Sequence, residues 1–327
     1  MKIVVTDANL PAWRADLEGA LPDGSVVLWP NPSDDAEIQA ALIDADVLVG
    51  PRCTTDMGWA GKNLRLVQVA GAGTDKIEVN ALPKGTQVAN TFHHENAIAE
   101  YVVAATVVLR RGILRQDAAL RRGEWASPAH NRAEPWVSGL AGATVGFVGF
   151  GHIGARTWEL CKAFGAKGVT VTRRGDIDAD AKGLEWSKTV ADLDSLLEIA
   201  DVVVVCAPLN PETTGLIGAA ELGKMRPSAT LVNVGRGPLV DEKALYTALT
   251  NKTIGGAVID VWYDYPSSGH TGAPSALPFH GLDNILMTPH SSGLTRQTFD
   301  GRTADIAANI NRLAAGEPLR NVVAVAR

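Results

Sequence analysis

The chain has 327 residues, 46% of them apolar and 20% charged, enough for two domains or one large α/β domain with a substantial core. Its net charge of −6 and pI near 5.7 argue against a nucleic-acid partner or an anionic membrane surface. Its three cysteines, Cys53, Cys161 and Cys206, have neither metal nor redox spacing and form no even disulfide set, so a reducing cytoplasm is the expected setting.

The opening MKIVVTDANL reads as a first strand, without the basic, apolar and cleavage regions of a signal peptide. The longest apolar runs, such as residues 101–109, are too short to cross a bilayer. Residues 1–94 alternate β-branched runs, at 2–6, 25–29, 46–50, 65–70 and 86–90, with helical segments. That rhythm predicts a small α/β domain with a parallel sheet and crossover helices. Residues 97–114 predict one long helix, apolar around most of its circumference and buried between domains or in a subunit interface. Residues 115–139 follow, with Trp125, Pro128, Pro135 and Trp136, which either pack under a loop or form an oligomer contact.

Beyond residue 140 six strand candidates, at 144–148, 168–172, 201–207, 230–234, 256–260 and 284–288, alternate with helices and suit a doubly wound parallel sheet. An amphipathic helix over 296–313 returns the chain to the first domain. The expected division is therefore 1–94 plus 295–327, and 95–294.

The stretch from Val145 to Gly175 carries a strand, the turn Gly149-Phe150-Gly151-His152-Ile153-Gly154, a helix and a second strand. In such a βαβ unit a dinucleotide pyrophosphate sits on the helix N-terminus. Gly149 permits the tight turn, Gly151 lets the backbone approach the phosphates, and Gly154 lets the helix pack closely on the sheet.

Ligands of such sheets bind beyond the carboxyl ends of the strands. Four places there carry chemistry. Residues 68–75, QVAGAGTD, make a small-residue turn whose N–H groups suit a carboxylate. Arg236 stands between Gly235 and Gly237 after a strand, and guanidinium binds carboxylate bidentately. Asp260 and His290 end two further strands. Together they offer an anion clamp and a proton donor tunable near neutral pH, beside a site for an organic hydride carrier.

Residues 207–249 read APLNPETTGLIGAAELGKMRPSATLVNVGRGPLVDEKALYTAL; GGAVIDVW and NILMTPHSSG follow, and VQVAGAGTDKIEV and NAIAEYV precede them. This pattern resembles the D-isomer-specific 2-hydroxyacid dehydrogenases across essentially the whole chain, and motifs this long are specific. The resemblance implies two Rossmann-like or flavodoxin-like domains, one for substrate and one for the dinucleotide, with an active-site cleft between them and usually a homodimer. It implies that Arg236 binds the substrate carboxylate and polarises the keto oxygen, while His290 protonates that oxygen as hydride arrives. It gives Ala72 and Gly73 backbone contacts to the carboxylate, and Asp260 the carboxamide end of the coenzyme. The coenzyme set is Gly149, Gly151, His152, Ile153, Gly154, Thr172, Arg173, Arg174, Ala207, Pro208, Thr213, Val234, Gly235, Asp260, His290 and Gly293.

The chain departs from the family at one catalytic position. Where the family has a glutamate before proline that hydrogen-bonds the histidine, this chain has Tyr265 before Pro266, with Asp264 beside it. A neutral phenol orients an imidazole but does not stabilise imidazolium as a carboxylate does. Three readings stand, in this order: Tyr265 orients His290, Asp264 substitutes with a shifted backbone, or catalysis is weakened.

The second strand of the βαβ unit ends Thr172-Arg173-Arg174, with no acid for a ribose 2′-OH. Two guanidiniums pair a 2′-phosphate, so NADP(H) is the preferred coenzyme and NAD(H) the alternative. The expected activity is hydride transfer between NADP(H) and a small 2-keto or 2-hydroxy acid, with no metal. Arg52 either holds a second anionic group of the substrate or is a surface cation; His93 and His94, near the domain crossover, either reach the cleft or pack. Competing readings are oxidation of formate or phosphite, and a coenzyme-sensing, corepressor-like binding protein.

Overall fold

The computed structural model describes residues 1–266 and 269–327. Two compact units emerge, Met1–His94 with Leu294–Arg327, and Glu95–Gly293. The first begins with β1 (Lys2–Val5), α1 (Arg14–Gly19), β2 (Val26–Leu28), α2 (Asp35–Leu42), β3 (Val47–Val49), α3 (Thr55–Ala60), β4 (Leu66–Gln68) and β5 (Gln87–Ala89). The second contains α4 (Glu95–Arg110), α5 (Ile113–Leu120), β6 (Thr144–Val148), α6 (His152–Ala163), β7 (Lys167–Thr172), α7 (Ala179–Lys182) and β8 (Trp186–Thr189). It continues with α8 (Leu193–Ile199), β9 (Val202–Val205), α9 (Ala219–Lys224), β10 (Thr230–Asn233), α10 (Glu242–Thr250), β11 (Gly256–Ile259) and β12 (Ile285–Met287). The chain then re-enters the first unit through α11 (Arg296–Ala315) and β13 (Val322–Val325).

In the first unit the sheet order is β13-β5-β4-β3-β1-β2, with β1 to β5 parallel. Period-two alternation sends Ile3 and Val5 to one face and Val4 to the other. Leu17 of α1 and Phe299, Ile306 and Ile310 of α11 cover the first face, and Ile38, Leu42 and Met57 of α2 and α3 the second. Side-chain caps start these helices: Asp34 accepts from the Glu37 N–H, Thr54 from Met57 and Thr295 from Thr298.

The second unit is a seven-stranded parallel sheet of order β12-β11-β10-β9-β6-β7-β8. Three adjacent strands of this sheet, β9, β10 and β11, are buried throughout, and β6 beside them is buried after its first residue, as strands covered on both faces must be. Among the described residues no helix is long and apolar enough to cross a membrane, and no group of residues is arranged to hold a metal ion.

Three elements differ from expectation. The helix expected over 97–114 ends at Arg110, because Gly112 takes a left-handed φ of 63° and α5 leaves in a new direction. β8 is a polar edge strand, WSKT, that hydropathy does not mark, whereas β13 is a short apolar run, Val322–Val325, mostly exposed at the other edge and not among the expected strands. β13 is also antiparallel to β5, so the first sheet is mixed rather than wholly parallel.

Candidate active site

The site grows from the carboxyl ends of β6, β7, β9, β10, β11 and β12. After β6, Gly149 has a φ of 94°, and an added Cβ would lie 2.9 Å from the backbone of Ala207. Gly154, in the first turn of α6, would meet the Gly149 carbonyl at 2.9 Å. Side chains are excluded at both positions, which brings the helix N-terminus onto the turn. At Gly151, the N-cap of α6, an added Cβ would meet nothing within 4 Å. That leaves room beside the N-terminus of α6, which fits a pyrophosphate.

After β7, the Thr172 hydroxyl accepts from the Gly175 N–H at 2.8 Å and fixes the turn that carries Arg173 and Arg174. Both arginines are exposed, and Arg174 pairs with Asp176 at 2.7 Å. After β9, the Cys206 thiol donates to the Gly149 carbonyl at 3.1 Å, tying this strand end to the glycine turn. Ala207 and Pro208 follow, and the Thr213 hydroxyl donates to the Pro208 carbonyl at 2.8 Å, committing that side chain to the loop.

After β10, the buried Asn233 staples the turn, accepting from the Gly235 N–H at 3.2 Å and donating to the Arg236 carbonyl at 3.0 Å. The Arg236 guanidinium donates to the Gly235 carbonyl at 2.9 Å, while Val234 is buried. An added Cβ at Gly237 would overlap the Trp262 carbonyl, so glycine is required for the β10 turn to lie on the chain leaving β11.

After β11 and β12 the structure places Asp260, Tyr265 and His290 together. Asp260 is fully buried. Its Oδ1 accepts from the Thr288 hydroxyl at 2.6 Å and the Ser291 N–H at 2.9 Å; its Oδ2 accepts from the N–H and hydroxyl of Ser292. His290 lies between these anchors with a left-handed φ of 56°. The Tyr265 phenol lies 3.0 Å from His290 Nδ1 and accepts from the Trp262 N–H at 3.2 Å. Burial pushes the Tyr265 phenol up, against the opposing effects of the Trp262 N–H and the Arg236 charge, so it stays protonated. Asp264 is exposed, and its backbone N–H donates to the Pro274 carbonyl. Beside the pair, Trp262, Tyr265, His270, Met287, Thr288 and Pro289 line an open cavity of about 370 Å³.

Trp262 and Tyr263 were expected at most to wall the pocket, and Tyr101 was not expected here at all. The Trp262 indole donates to the Thr288 carbonyl at 2.8 Å, and the Tyr101 phenol of α4 lies 2.7 Å from the Thr288 hydroxyl. Their chemistry appears only when α4, β11 and β12 are assembled. Asn233 was not named from the sequence either, although a polar residue closing an apolar strand is a signal for it.

The first unit holds the remaining candidates. The turn around Ala72 and Gly73 is secured by the Asn90 amide, which donates to the Ala72 carbonyl at 2.9 Å, and by the Thr91 N–H on the Gly71 carbonyl. Arg52 donates to Asp35 and to the Pro32 carbonyl, giving that cation a carboxylate partner within its own unit. His93 Nε2 is 2.8 Å from Asp305 in α11, with its ring against Gly301. His94 is buried.

A family model described as "D-isomer specific 2-hydroxyacid dehydrogenase, NAD binding domain" matches residues 103–292. The chain is 33% identical over 294 residues to D-3-phosphoglycerate dehydrogenase of Methanocaldococcus jannaschii, covering 88% of this chain and 53% of that protein. Glycerate dehydrogenase of Methylorubrum extorquens is 32% identical over 270 residues, 80% of this chain and 79% of that one. The chain thus spans about half the length of the D-3-phosphoglycerate dehydrogenases among the curated relatives it matches. A solved NADPH-dependent glyoxylate/hydroxypyruvate reductase from Sinorhizobium meliloti, in complex with NADP and malonate, superposes with a TM-score of 0.82 at 26% identity. That match covers 100% of this chain and 98% of the other.

Proposed function

The chain belongs to the D-isomer-specific 2-hydroxyacid dehydrogenase family, and from that premise we propose that it reduces small 2-keto acids to 2-hydroxy acids of D configuration with NADPH. The carrying observation is the His290–Tyr265 pair at 3.0 Å, on the strand ends beside the turn that presents Arg236.

The open, amide-lined turn at Gly149, Gly151 and Gly154 fits a dinucleotide, with Ala207, Val234 and Gly235 on neighbouring strand ends. Bound there, a reduced nicotinamide supplies hydride. Arg236 takes the substrate carboxylate and polarises the keto oxygen. His290 delivers a proton to that oxygen from Nε2. It does so as imidazolium, whose Nδ1–H donates to the Tyr265 phenol oxygen; the neutral ring left after transfer keeps its proton on Nδ1. In the first unit, Ala72 and Gly73 carry the proposed backbone contact to the carboxylate.

NADP(H) preference is supported by the exposed Arg173 and Arg174 at the end of β7. We assign the contact of a homodimer to the exposed apolar segment after α4, where Trp125 and Trp136 are 61% and 87% exposed along with Ile113, Leu114 and Leu120. Light scattering at micromolar concentration measures that state directly.

A spectrophotometric panel tests the activity: NADPH with glyoxylate, hydroxypyruvate, phenylpyruvate, oxaloacetate and phosphonopyruvate, and NADP⁺ with formate and phosphite. Turnover of a 2-keto acid is the expected outcome. Turnover of formate or phosphite alone replaces it, and tight coenzyme binding with no turnover replaces catalysis with sensing.

A further inference from the structure

We propose that Arg302 selects 2-keto acids carrying a second anionic group, which it takes beside the turn on which the substrate carboxylate rests. This deepens the proposed 2-keto acid reduction and rests on that reading. The first unit supplies both halves of the arrangement. In the turn, the Gly71 carbonyl accepts from the Thr91 N–H at 3.1 Å and the Ala72 carbonyl from the Asn90 amide at 2.9 Å. A trans peptide carries its N–H opposite its carbonyl, so the N–H groups of Ala72 and Gly73 point away from residues 90 and 91. Arg302, on α11, brings its guanidinium to the same turn, where a Cβ added at Gly71 would lie 3.9 Å from Nη2. One peptide separates Gly71 from Ala72, so an anion held by Arg302 and a carboxylate held by the turn belong to one short molecule.

The guanidinium is aimed from behind. Its Nε donates to the Phe92 carbonyl at 3.1 Å, and it lies over the Phe299 ring, 5.2 Å from the centroid. Phe299 in turn stacks on Trp13 at 5.0 Å. An arginine fixed along its stem and its Nε edge presents a planar fork, which matches a carboxylate or phosphonate with two parallel hydrogen bonds. The acids on its own helix have other partners: Asp300 accepts from the Trp13 indole at 2.6 Å, and Asp305 lies 2.8 Å from His93 Nε2. Tying residues 92 and 93 to α11 does not require a guanidinium, because Thr298 already donates to the His93 carbonyl at 3.2 Å and Asp305 holds the His93 ring. Arg52, whose place in the sequence also suits a second anion, is held by Asp35 and the Pro32 carbonyl.

Oxaloacetate and its 4-methyl ester share a carbon chain and differ by one charge, so their ratio of kcat/KM with NADPH reads this contact directly. The unaltered enzyme should prefer the acid by about thirtyfold or more. Of oxaloacetate and phosphonopyruvate, the one with the higher kcat/KM identifies the second anion as carboxylate or phosphonate. Arg302→Met keeps an apolar stem against Phe299 and removes the fork; the preference should fall to about threefold or less. Arg302→Lys retains a point charge without the fork and should show an intermediate preference.

Three results overturn the inference: no preference for the acid in the unaltered enzyme, a preference that survives Arg302→Met, or equal losses for acid and ester in that variant. If Arg302→Met does not fold, the unaltered enzyme and Arg302→Lys decide it, since an undiminished preference in Arg302→Lys also counts against the fork. Turnover of 2-keto acids without discrimination between acid and ester removes only this inference. No turnover of any 2-keto acid removes the underlying reading, and the inference with it.

Discussion

The Tyr265 hydroxyl faces Nδ1 of His290 at 3.0 Å, so the histidine of this site is partnered by a neutral group that both donates and accepts. A carboxylate there only accepts and thereby favours imidazolium. Reduction uses the protonated ring, so its rate falls as pH rises through the histidine's deprotonation. Tyr265→Glu adds a negative charge beside the ring and is expected to move that falling limb about one unit to higher pH. Tyr265→Phe removes the acceptor for the charged ring and should move it to lower pH, with kcat down about tenfold. Superimposable profiles for the unaltered enzyme and Tyr265→Phe reduce the phenol to packing.

Coenzyme choice turns on an uneven pair. Arg174 already faces Asp176 at 2.7 Å, so an incoming 2′-phosphate competes with that carboxylate for it, while Arg173 pairs with no described residue. Arg173→Ser should therefore cost more kcat/KM with NADPH than Arg174→Ser. The double variant is expected to lose about a hundredfold with NADPH and less than about threefold with NADH. Equal kcat/KM for the two coenzymes in the unaltered enzyme removes the premise.

Two glycines separate fold from function. Gly237→Ala drives a methyl into the Trp262 carbonyl and should destabilise by about 1–3 kcal/mol, read as a Tm lower by several degrees. Gly151→Ala meets nothing within 4 Å and should leave Tm in place while weakening coenzyme binding, because the methyl enters the space reserved for phosphate. Equal thermal loss in both variants contradicts that division.

Burial pushes the Cys53 thiol up to about 11 and the Cys161 thiol up to about 12. Thiolate is the reactive form, and such shifts lower its fraction near pH 8 by about a hundredfold and a thousandfold. Neither should react with a thiol reagent in the folded protein, while all three cysteines should in denaturant. Rapid labelling of Cys161 in the native state counts against the burial of α6 on its sheet.

The core strands and the glycine turn were legible because they depend on local chemistry: runs such as Val202–Val205 are buried on both faces and read as continuous apolar segments. β8 was silent because an edge strand buries too little to need such a run, while β13, Val322–Val325, carries an apolar run that was not named among the expected strands. Arg236, Asp260 and His290 could be named from their strand-end positions, but their partners could not. Arg52 finds Asp35 seventeen positions earlier, and Thr288 meets Tyr101 from a helix far up the chain. Ser291 and Ser292 look like ordinary loop residues until Asp260 lies beneath them. Pairings of this kind are set by tertiary assembly, on which periodicity and propensity are silent.

The antiparallel seam between β13 and β5 has a kinetic side. Ala89 pairs with Val322, and Gln68 with Asn309, so the first sheet lacks its outer strand and one covering helix until the ribosome has passed residue 322. At ~5–20 residues per second that interval is on the order of tens of seconds. Throughout it β5 presents an unpaired edge, and all strands of the second unit are synthesised before it ends. Nascent chains stalled before α11 should therefore be the form that chaperones hold and that aggregates, with the dinucleotide unit already folded within them.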